Sequence, residues 1–140
     1  MDISSLNLGN GQALTLNGPP GSQFVINDSG NFILNSGMIN LTGGLTDNDV
    51  VFNVTATGNA IQTSGGLNNE AVVNGILLAP NSGVALAPGL INGELIAGGS
   101  TIHLVSGASI VDTTPTTVTT PEPASFALQR CSGSRQQRVE

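Results

Sequence analysis

Short apolar runs follow one another along most of the chain, and each ends at glycine, proline, asparagine or serine. Runs of this length with such boundaries predict β-strands. They fall at Ala13–Asn17, Gln23–Asn27, Asn31–Asn35, Met38–Thr42, Val50–Thr55, Ala60–Thr63, Val72–Ala79, Val84–Ala87, Leu90–Ala97, Thr101–Val105 and Ser109–Val111. The segment around Asn68–Ala71 is the least strand-like. No window sustains a 3.6-residue apolar period, so almost no helix is expected.

Two of these stretches are near copies. Residues 74–89 read NGILLAPNSGVALAPG, and residues 92–107, eighteen positions later, read NGELIAGGSTIHLVSG. Seven of the sixteen aligned positions are identical, among them Asn74/Asn92, Leu77/Leu95 and Leu86/Leu104. Sandwich strands differ because each has different neighbours. Solenoid coils resemble one another because each stacks on a near copy of itself. The pattern therefore predicts an all-β fold, a right-handed parallel β-helix of about five coils. Leu77 should stack on Leu95, Leu86 on Leu104, and Asn74 on Asn92 as an amide ladder. Earlier coils look longer, with FVIN at 24–27 and VFNV at 51–54 as counterparts.

Composition agrees. The chain of 140 residues has 19 Gly, no Trp, no Tyr and four Phe. A globular core fills volume with aromatics, whereas a narrow solenoid needs only Ile, Leu, Val and Ala inside. There is no Lys, and the three Arg (Arg130, Arg135, Arg138) stand in the last eleven positions. Residues 1–129 carry eight carboxylates and no basic side chain, which argues against nucleic acid and anionic membranes as partners. No run reaches the ~20 apolar residues of a membrane span. Residues 1–12 lack the basic and apolar regions of a signal peptide. Cys131, the single cysteine, excludes an intrachain disulfide.

The character of the chain changes after Val111. The expected organisation is a β-helix domain at 1–111, a Thr/Pro linker at 112–120 and a tail at 121–140, the last two disordered. In the tail, Pro121-Glu122-Pro123-Ala124-Ser125 resembles the opening of a PEP-CTERM sorting signal. Such a signal continues into an apolar segment and an arginine cluster, but here Gln129-Arg130-Cys131-Ser132 follows Leu128. A frameshift after Leu128 would account for the departure. The body resembles the bacterial choice-of-anchor A domain through VVFNVT at 50–55, NGILLAPNSGVALAPGLINGELIAGG at 74–99 and IHLVSGASI at 102–110. β-Solenoid ice-binding proteins carry a related pattern. The resemblance covers residues 3–111, looks like the C-terminal part of a longer domain, and implies an adhesive module of an exported surface protein. It places the parent protein at the cell surface or outside the cell, although this chain shows neither signal peptide nor membrane anchor.

Candidate chemistry is sparse. His103 is the only histidine, lies between Ile102 and Leu104, and should point outward. No nucleophile–base arrangement or metal cluster is visible, so no enzyme activity and no cofactor are expected. Asp47-Asn48-Asp49, joined by Asp28 from another loop, is the candidate Ca²⁺ site. Without a loop of six to eight oxygens, an Asx-turn is the favoured reading. Glu94 replaces Ile76 in the repeat and should face water. The Asn-x-Ser/Thr tripeptides at Asn27, Asn40 and Asn53 carry no weight. No Thr ladder follows the eighteen-residue period, which counts against ice binding. A polysaccharide lyase, also β-helical, needs basic residues that the body lacks. Two function classes remain: a surface or matrix module for adhesion or assembly, and a binding module for ice or carbohydrate. Expected partners are an extracellular polysaccharide or surface, and further copies stacked end to end through uncapped coils.

Overall fold

The computed structural model describes residues 1–66, 68–99 and 101–112. Fifteen strands wind into five coils of three. The first coil holds β1 (Asp2–Ile3), β2 (Leu6–Gly9) and β3 (Ala13–Asn17). The second holds β4 (Phe24–Asp28), β5 (Phe32–Asn35) and β6 (Met38–Thr42). The third holds β7 (Val50–Val54), β8 (Gly58–Ser64) and β9 (Ala71–Asn74). The fourth holds β10 (Ile76–Ala79), β11 (Ser82–Ala87) and β12 (Gly89–Asn92). The fifth holds β13 (Leu95–Ala97), β14 (Ile102–Leu104) and β15 (Ser109–Val111). Every third strand pairs in parallel, giving three five-stranded sheets: β1-β4-β7-β10-β13, β2-β5-β8-β11-β14 and β3-β6-β9-β12-β15. This is the five-coil parallel β-helix that the repeat predicts.

The eighteen-residue offset sets the register as expected. Leu77 pairs with Leu95 and Leu86 with Leu104. Asn92 Nδ2 donates to Asn74 Oδ1 at 2.8 Å. Each coil supplies the same inward positions to continuous apolar columns. One column runs Leu6, Phe32, Ile61, Val84, Ile102; another runs Ile26, Phe52, Leu77, Leu95. Their middle members are buried completely or almost so, each stabilising the fold by about 1.5–3 kcal/mol relative to exposure.

The structure corrects three expectations. Aliphatics do not fill the interior alone: Phe32 and Phe52 are fully buried and meet edge to face at 5.4 Å. β1 and β2 precede the first strand expected from the sequence. The runs at Val72–Ala79 and Leu90–Ala97 each break into two strands on different sheets. The first break is Gly75 alone, at φ 144°, and the second is Gly93, at φ 128°, followed by Glu94; both glycines occupy a backbone region that residues with a Cβ rarely adopt. An apolar run with one glycine inside reads as continuous, yet that glycine turns the chain from one sheet to the next.

Hydroxyls of the following coil add to the backbone ladder near strand ends: Ser29 Oγ donates to Ile3 O at 3.4 Å, Thr42 Oγ1 to Leu16 O at 3.2 Å, Thr55 Oγ1 to Asp28 O at 3.3 Å, and Ser82 Oγ to Ala56 O. Ile3 O and Asp28 O also accept the backbone N–H of Ser29 and Thr55. The one helical element among the described residues is a 3₁₀ turn at Asp47–Asp49. No helix there is long and apolar enough to cross a membrane. Apart from Asp112, the linker at 112–120 and the tail with Pro121–Ser125 lie outside the described residues.

Candidate functional site

The three acidic candidates do not converge. Asp28 ends β4 and points inward, between Ile3 of one coil and Val54 of the next. It is fully buried; Oδ1 accepts from Gly30 N at 2.9 Å, and Oδ2 has no hydrogen-bond partner. Asp47 and Asp49 precede β7, whose first residue, Val50, pairs with Phe24. Asp28 pairs with Val54 at the other end of the same strand pair, roughly 13 Å along the ladder. Asp49 instead closes its own turn. Its Oδ2 accepts from Thr46 N and from Thr46 Oγ1, each at 2.8 Å. The bond from the Thr46 backbone, followed by that from its hydroxyl, holds the Asp49 carboxyl below the usual aspartate value. The spacing Thr46-x-x-Asp49, a variant of the capping box, was the sequence signal for this role.

Among the described residues no three His, Cys, Asp or Glu side chains gather closely enough to hold a metal ion. His103 is exposed and stacks over Ala85. Glu94 is exposed at the corner before β13.

What the fold does build is a set of long lateral faces. On the first sheet, Asn27 Nδ2 donates to Asp2 Oδ1 at 2.8 Å, and Asn53 Nδ2 donates to Asn27 Oδ1 at 3.1 Å. On the third sheet, Asn92 is fixed by Asn74, and Asn74 Nδ2 donates to Ile39 O at 2.6 Å. Parallel registers pair Thr15 with Asn40 and Asn74 with Asn92, and the Met38–Val72 register carried two residues further sets Asn40 beside Asn74, giving an outward polar column next to an aliphatic column through Met38, Val72 and Leu90. No outward strand position of this third sheet carries a charge, although the chain's formal net charge is −6. The described carboxylates sit instead outside the strands, on β1 and inside the core. Single residues gave no hint of this face. It exists only once coils of different length are brought into register.

Residues 1–110 match the family model described as "Putative Ice-binding-like adhesive domain", and the chain belongs to that family. No curated protein matches the chain. No solved structure matches it either.

Proposed function

We propose that this member of the ice-binding-like adhesive domain family is a non-catalytic adhesion module of an exported bacterial surface or matrix protein. The observation that carries the reading is the uncharged third face, on a chain that matches an adhesive family over residues 1–110. A flat face with fixed amides beside aliphatics suits a neutral, hydroxyl-rich polymer. Amides exchange hydrogen bonds with hydroxyls, and aliphatic side chains cover C–H surface without desolvating a charge. The resemblance to the choice-of-anchor A domain, and Pro121–Ser125 as the remnant of a sorting motif, support placement at the cell surface or in the surrounding matrix.

Ice is the alternative ligand that the family description raises. Along the strand registers no threonine stands over another threonine, so the regular hydroxyl array for which that reading looks is missing.

The test is retention of the labelled full chain on isolated bacterial envelopes and on a neutral polysaccharide gel. Asn40→Lys and Leu90→Lys place charge on the third sheet; Gln62→Lys places it on the second. The first two should weaken retention about tenfold, close to 1.4 kcal/mol, and the third should leave it unchanged. Equal retention of all three, or none by the unaltered chain, would remove the lateral face from the mechanism.

A further inference from the structure

The two ends of the helix are built from the same parts. β1, β2 and β3 form the free edge of all three sheets at one end; β13, β14 and β15 form it at the other. Every strand runs parallel to its neighbours, so a copy displaced along the axis would continue each ladder without reversing a strand.

The fifth coil shows what such a copy would cover. Val84, Leu86 and Ile91 are at most 1% exposed, and the residues stacked on them, Ile102, Leu104 and Ile110, are 50%, 56% and 39% exposed. Their positions in the coil are equivalent. The difference is that, among the described residues, no coil lies above the fifth. The same columns begin at the opposite end with Leu6, Leu8 and Leu14, again aliphatic and only partly buried. The exposed surface therefore continues the coil-on-coil interface already repeated inside the molecule. Proteins that keep an edge from pairing place Lys, Pro or inward charge on it. β13, β14 and β15 have none of these, and β1, β2 and β3 have one charged residue, the outward Asp2.

We infer that a second copy of this chain docks its first coil on the fifth coil, setting Leu6, Leu8 and Leu14 on Ile102, Leu104 and Ile110. The contact is head to tail, and repeating it translates along the axis. Growth is therefore open and gives rods rather than closed dimers. The inference is independent of the lateral face: it concerns the ends, and its readout is mass rather than retention.

Light scattering of the full chain from micromolar to millimolar concentration, with negative-stain microscopy, tests it. Mass should rise with concentration past that of a dimer, and rods one solenoid wide should appear. Leu104→Glu and Ile102→Lys alter side chains that are already half exposed. Each should keep the circular dichroism spectrum and stay at the mass of one chain. Leu104→Glu retains an intact first coil, so a small fraction mixed into the unaltered protein should shorten the rods. A chain that stays monomeric overturns the inference, as does growth that stops at two copies or growth indifferent to both substitutions.

Discussion

The first three coils and the last two carry the same strands on different corners. In the first sheet, the steps from Asp2 to Asn27, Asn27 to Asn53, Asn53 to Leu78 and Leu78 to Ile96 are 25, 26, 25 and 18 residues. The second and fourth coils each place fourteen residues in strands, so the extra residues of the longer coil go into corners. Residues 18–23 join β3 to β4, and residues 43–49 join β6 to β7. Leu45 from the second of these is buried beside Gly18 of the first. In the fourth coil the equivalent connection is Gly75 alone. Coil stacking thus fixes the strands and leaves the corners free, and a corner lengthens when it brings its own packing.

The comparison is tested most severely in the core. Phe52 in the third coil is fully buried, rests edge-on to Phe32 and lies beneath Gly75. Phe52→Ala should cost about 3–5 kcal/mol in chemical denaturation. Leu104→Ala in the fifth coil, where over half the side chain is exposed in the single chain, should cost a small fraction of that at concentrations too low for the ends to stack. Similar losses would mean that the fifth coil is covered in solution.

A smaller effect separates the two kinds of corner. A Cβ on Gly93 would run into the Gly75 carbonyl, at a backbone angle unfavourable to any side chain. Gly93→Ala should cost about 1–3 kcal/mol. Hydrogen exchange should quicken in β12 to β15 while β4, β5 and β7 keep their protection. Uniform acceleration would show that short and long coils unfold as one unit. Thr63 offers a change of opposite sign. It interrupts the column Leu34, Thr63, Leu86 with a buried hydroxyl that has no partner. Thr63→Val keeps the shape, removes that hydroxyl and should add about 1 kcal/mol.

The same difference explains what could be read from the sequence. In the short coils nothing intervenes between strands, so stacking leaves an eighteen-residue echo, and Leu77/Leu95, Leu86/Leu104 and Asn74/Asn92 fell into their observed register. In the long coils, corners of unequal length broke the echo. FVIN at 24–27 and VFNV at 51–54 were still legible as counterparts, one residue out of the observed register in which Phe24 pairs with Val50, but the alignment of Asn40 with Asn74 was not. The third face was invisible for that reason, since its polar column joins residues spaced by different intervals. The separation of Asp28 from Asp47 and Asp49 was hidden too. The sequence places all three in loops, and only the register shows that they lie at opposite ends of one strand pair.

The finest prediction concerns the corner of 43–49, which has no counterpart in the short coils. Asp49 holds Thr46 through both its N–H and its hydroxyl, and these bonds favour the charged carboxylate. The folded value is lowered, so the unfolded chain takes up the proton first. The stabilisation is complete above the ordinary aspartate value, about 3.9, and is lost as pH falls from there through the lowered folded value. Asp49→Asn keeps an acceptor without the charge. It should be slightly less stable than the parent near neutral pH and should converge with it as the pH drops below about 4. Melting temperatures of the two chains across that range provide the check. A constant gap at every pH would mean that the turn depends on the geometry of the acceptor rather than on its charge.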